Sequence, residues 1–87
     1  DSYLDQCKRV ANFIDNFNFD NKNSVVLITH AGTIRAILSH ILEIEPDKSI
    51  GIEISHLSCT LIEVINKNHH NHRGGRYRLL KVNQQII

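Results

Sequence analysis

His30 is the residue of this chain best placed to do chemistry. It follows the apolar run Val25-Val26-Leu27-Ile28 and Thr29, and it precedes Ala31, Gly32 and the apolar spacing of a helix. Where a buried strand ends and a helix begins, ligands of open α/β sheets collect. The first N–H groups of that helix lack partners and point at the same spot, so an anion is favoured there. Ala31 and Gly32 are small enough for a phosphate to approach the backbone, which makes Ala31 a candidate phosphate contact beside His30. An imidazole can donate a hydrogen bond to a phosphoryl oxygen and, when protonated, offset developing negative charge. The spacing leaves a second reading open, in which His30 only caps the helix or bonds a backbone carbonyl.

Lesser signals surround it. Arg35 lies one turn into the helix and could reach an anion, although a helical arginine at this spacing more often lies along the surface. Arg9 precedes apolar Val10 and suits an ion pair with a neighbouring loop. His56 or Ser58, at a turn between two strands, could buttress His30 or simply face solvent. Glu43 and Glu45 read as solvated surface, and neither is a candidate general acid. His69-His70-Asn71-His72 puts three histidines within four residues, but further ligands at zinc-site spacing are missing. A hairpin loop that binds metal only adventitiously is the reading there, with no resident metal or cofactor.

The elements that must position His30 are set by periodicity. Leu4, Cys7, Val10, Ala11, Ile14 and Phe17 form one helical stripe, and Ser2 with Asp5 makes a capping box in which Asp replaces the usual Glu or Gln. The Asn- and Asp-rich stretch 16–23 ends that helix, because these side chains compete for the backbone. Val25–Ile28 has the unbroken apolar character of a strand covered on both faces. Ile34, Ile37, Leu38, Ile41 and Leu42 return to helical spacing, and Pro46 with Asp47 stops that helix or caps the next element. Ile50, Ile52 and Ile54 alternate as a half-buried strand, Leu57–Ile65 is a second strand, and 66–75 is a loop. Tyr77–Val82 is the last strand and 83–87 a tail. The expected order is α-β-α-β-β-β in an α/β fold with a mixed sheet.

At 87 residues the chain is one small domain, with 41% hydrophobic and 22% charged residues, which is ordinary globular composition. A formal net charge of +1 gives no basic footprint for nucleic acid, so anion recognition must be local. Cys7 and Cys59 flank no motif and read as reduced, partly buried thiols of a cytoplasmic protein. No apolar run approaches the ~18 residues of a membrane span, and no signal peptide is visible. The chain opens on Asp1 and contains no methionine, which suggests a fragment or a processed product. The Val25–Ile28 strand would keep much apolar surface exposed, so an upstream segment or a partner chain, with a homodimer as one form, is expected to cover the sheet.

The run Val25-Val-Leu-Ile-Thr-His-Ala-Gly-Thr-Ile-Arg-Ala-Ile-Leu38 resembles the second-histidine motif of the histidine phosphatase superfamily, the phosphoglycerate mutase-like branch. That family usually has Gly where Ala31 stands. Ser2, Asp5, Arg9 and Val10 match its Ser-x-x-Asp-x-x-x-Arg-Val helix, and the closing Tyr77-Arg-Leu-Leu-Lys-Val-Asn83 is similar to the last strand of alpha-ribazole phosphatases. The resemblance implies the C-terminal half of a three-layer α/β/α domain with a mostly parallel mixed sheet. It implies phosphomonoester hydrolysis through a phosphohistidine, with His30 stabilising the transition state, Ser2 near the substrate cleft and no metal. The implied substrate is a small phosphorylated molecule, with a cobalamin-pathway phosphatase and a phosphoglycerate mutase as readings and a non-catalytic binding module as the alternative. The family's nucleophile stands in an Arg-His-Gly motif, which these residues do not contain. The chain by itself is therefore expected to be inactive.

Overall fold

The computed structural model describes residues 2–19, 29–65 and 75–86. Three helices and a hairpin make up this part: α1 (Tyr3–Asn16), α2 (Ala31–Leu42), α3 (Pro46–Ser49), β1 (Ser58–Val64) and β2 (Tyr77–Gln85).

Helix α1 starts as its sequence requires. The Ser2 hydroxyl accepts from the Asp5 N–H at 3.1 Å, and the Asp5 carboxylate accepts from the Ser2 N–H at 3.4 Å, closing the capping box. Its end is set by Asn16, whose side chain donates to the Asn12 carbonyl at 2.7 Å, and by Phe17, whose backbone turns extended. Of the expected stripe, Cys7 and Ile14 are buried, while Leu4 stays 52% exposed.

Helix α2 packs along α1, and the two run in the same direction. Gln6 Nε2 donates to Thr33 Oγ1 at 2.9 Å near their starts, and His40 Nε2 meets Asp15 Oδ1 at 2.8 Å near their ends. Ala36 is fully buried at this seam, and Leu38 is fully buried as well. The helix stops before Pro46 is reached: Glu43 adopts a left-handed conformation (φ 55°), and the Ser39 carbonyl accepts the Ile44 N–H at 2.9 Å. Pro46 instead opens α3, where its missing N–H has no cost.

The expected strand over Ile50–Ile54 is absent. The N–H groups of Gly51 and Ile52 donate to the Lys48 and Ser49 carbonyls, both at 3.0 Å, so local turns take the bonds a ladder would need. Only Ile54 of the three isoleucines is buried, and Ile50 is 57% exposed.

β1 and β2 pair antiparallel, from Val64↔Tyr77 to Ser58↔Gln85. The ladder carries irregularities on both sides of Leu61, where β2 supplies the extra residues. These shifts explain why β2 loses its in–out alternation and exposes Leu80, Lys81 and Val82 in succession. They also correct the expected tail: Asn83 turns left-handed (φ 55°), and Gln84 and Gln85 continue the pairing. At the other end of the ladder Gly75 (φ 77°) makes the turn into β2, a conformation that suits glycine. The described sheet is thus a two-stranded antiparallel one, in a small α/β arrangement. The expected Val25–Ile28 strand and the His69–His72 segment lie outside the described residues.

Within β1, the Thr60 hydroxyl is buried without a hydrogen-bond partner beside the ladder irregularity. An orphaned hydroxyl costs about 1–3 kcal/mol in desolvation. Thr60→Val, which keeps the shape and removes that oxygen, is therefore expected to raise the urea midpoint. A lowered midpoint would show that the hydroxyl has a partner.

Candidate functional site

His30 occupies the N-cap of α2 in an extended conformation (φ −87°, ψ 159°), and its side chain makes no capping bond. Side-chain capping of the helix by His30, one part of the second sequence reading, is therefore not observed. Its backbone does the capping work, because the His30 carbonyl accepts the Ile34 N–H at 3.1 Å. The imidazole is exposed, and among the described residues it makes no hydrogen bond. The N–H groups of Ala31, Gly32 and Thr33, in the first turn, have no intrahelical acceptor. Here Gly32 is not needed for space, since an added Cβ would sit 3.7 Å from Gln6 Oε1, an ordinary contact.

The parallel course of α1 and α2 brings Ser2 and His30, the two N-caps, to the same end of the helix pair. The Gln6–Thr33 bond locks that end together. Ser2 is exposed, and capping uses only a lone pair of its hydroxyl, so the O–H remains free to donate. Gln6 carries no signal in the sequence, because its partner lies 27 positions away.

Arg35 departs from the reading that lays it along the surface. It is half-buried, and its Nε donates to the Ile52 carbonyl at 2.7 Å, so it braces the chain after α3. Ser58 likewise turns inward on its own loop, its hydroxyl donating to Ser55 O at 2.7 Å, and His56 is exposed. Neither hydrogen-bonds His30 among the described residues. Both cysteines are free, but only Cys7 is buried and Cys59 is exposed. Among the described residues no cluster of metal-binding side chains forms, and no helix is long and apolar enough to cross a membrane.

Next to the candidate site, Tyr3 ties α1 to α3. Its hydroxyl lies 2.6 Å from Ser49 Oγ, and Ser49 Oγ donates to Pro46 O at 2.6 Å. Ser49 has a single hydroxyl proton, so Tyr3 is the donor in their pair. Burial pushes the Tyr3 pKa above its usual 10.0, with Cys7 reinforcing that shift. A raised pKa in the folded state means full stability below about pH 10 and loss as the pH rises beyond it. Tyr3→Phe is expected to flatten this alkaline decline when urea midpoints at neutral pH and above pH 10 are compared. An unchanged slope would remove Tyr3 from the account.

A groove of about 300 Å³ lies between α1 and the C-terminal half of α2, lined by Leu4, Cys7, Ala11, Ala36 and His40 among others. It is away from His30 and apolar, and so unsuited to a phosphoryl group.

A family model described as the histidine phosphatase superfamily (branch 1) matches residues 1–76. No match was found among curated proteins or among solved structures.

Proposed function

This chain belongs to branch 1 of the histidine phosphatase superfamily, and on that premise we propose that it supplies the second histidine of a phosphomonoesterase site. In this reading a nucleophilic histidine outside these residues attacks phosphorus, the ester P–O bond breaks, and the departing alcohol takes a proton from a carboxylic acid. Water then hydrolyses the phosphohistidine. His30 donates to a phosphoryl oxygen as charge builds there, while the Ala31 N–H and the Ser2 hydroxyl hold the phosphorylated substrate. Such catalysis is positioning and charge stabilisation, which these groups can provide without a metal.

The observation that carries the proposal is the exposed His30 imidazole, without a hydrogen bond among the described residues, at a helix start with unpaired amides. Within the family, the likeness of Tyr77–Asn83 to the closing strand of alpha-ribazole phosphatases favours alpha-ribazole 5'-phosphate as substrate, in cobalamin synthesis in the cytoplasm. The exposed Leu61, Leu80 and Val82 support a hairpin covered by the rest of a larger three-layer domain or by another chain. The same surface is what a non-catalytic, partner-binding module would present.

Phosphate release by the intact protein from alpha-ribazole 5'-phosphate, 3-phosphoglycerate and p-nitrophenyl phosphate tests the reading. Preference for the first is expected, and the 87 residues alone should release none. Isomerisation of 3-phosphoglycerate without net release would move the assignment to a mutase. No turnover of any of the three by the intact protein would leave the module.

A further inference from the structure

The extensive packing among the described residues lies within the three helices and, separately, between the two strands. What joins these two parts is the segment 50–57 between α3 and β1, which forms turns and irregular backbone. Two side chains hold it from opposite sides. From α2, Arg35 Nε donates to Ile52 O at 2.7 Å, a charge-assisted bond made from a half-buried position. From β2, Asn83 Oδ1 accepts the Ser55 N–H at 2.6 Å. Between the two anchors, Ile54 is buried. Asn83 reaches Ser55 from a left-handed backbone at φ 55°, a conformation asparagine tolerates better than most residues.

We infer that Arg35 and Asn83 are positioning residues, a two-point clamp on segment 50–57 that fixes the helix start bearing His30 relative to the hairpin. The role in catalysis rests on the phosphatase reading above; the clamp itself is a statement about geometry. Arg35 lies little more than one turn beyond His30 on the same helix. Tension or slack at Ile52 is therefore transmitted directly to the first turn of α2. A hairpin free to swing would carry whatever it presents to the substrate out of register with His30, and small misplacements are costly in catalysis.

The test uses Arg35→Gln and Asn83→Gly in the intact protein, singly and together. Glycine keeps the left-handed backbone at position 83 and removes only the acceptor. Exchange of the Ile34 amide, which bonds the His30 carbonyl, reads the helix start. Steady-state hydrolysis of p-nitrophenyl phosphate reads the reaction. Each single variant is expected to speed Ile34 exchange and to lower kcat by about tenfold with KM nearly unchanged. The double variant should be little worse than either single one, since a clamp with one jaw open no longer holds. Arg35→Lys, which can still donate to Ile52 O, should recover part of both. Unchanged Ile34 exchange, or effects that simply multiply in the double variant, would overturn the clamp. If the unaltered intact protein hydrolyses no phosphomonoester, the phosphatase reading fails and Ile34 exchange alone decides the clamp.

Discussion

Replacing His30 with alanine is expected to lower phosphate release from the intact protein by about 10²–10³-fold, the scale of losing one preorganised donor to a transition-state oxygen. The loss should fall on kcat more than on KM, because the donor acts where charge develops and not on the resting ester. Stability should barely move, since the imidazole is exposed and caps nothing. His30→Asn sharpens the test. Asparagine is a favourable N-cap, so this variant should hold α2 as well as the native residue or better. It should nonetheless remain as slow as His30→Ala. Activity restored by asparagine would mean that position 30 matters only for the helix, and full activity in both variants would place the phosphoryl site elsewhere.

The largest expected loss of stability belongs to Leu38→Ala. Leu38 is the one large apolar side chain fully buried among the described residues. Truncating such a leucine costs about 2–5 kcal/mol, from lost burial plus the cavity left behind. A small domain has total stability of about 5–15 kcal/mol, so this single change removes a large share of it. The urea midpoint should fall steeply, and phosphate release should be lost in parallel with folding and not ahead of it. Leu38→Met, which nearly conserves volume, should cost less than about 1.5 kcal/mol. Equal effects of methionine and alanine would mean that the core is not packed closely around this side chain.

How much of this is legible in the sequence depends on whether the deciding interaction is local. The start of α1 can be read because Ser2 and Asp5 satisfy each other within one turn. The body of α2 can be read because its apolar spacing repeats over three turns. The Ile50–Ile54 alternation misleads because it is only a pattern of side chains. The turn bonds to Lys48 and Ser49 take the backbone groups a strand would share. The end of β2 misleads for the opposite reason. Asn83 looks like a terminator, yet its left-handed turn and its bond to Ser55 let Gln84 and Gln85 go on pairing. His30 is marked by its neighbours in sequence. Gln6, Tyr3, Ser49 and Arg35, which arrange its surroundings, are not, because their partners are 17 to 46 positions distant.

The shared direction of α1 and α2 has an electrostatic consequence. Each helix carries roughly half a positive charge at its N-terminus, and side by side the two fields add at the end where Ser2 and His30 sit. On the proposed reading that end draws anions through its backbone amides, which is compatible with a formal net charge of only +1. The same arrangement sets like poles against each other, a repulsion that the Asp5 carboxylate in the first turn of α1 partly offsets. A phosphoryl group placed between the poles would offset the rest. On the proposed reading the ligand is a counterion to the fold as well as a substrate for the site.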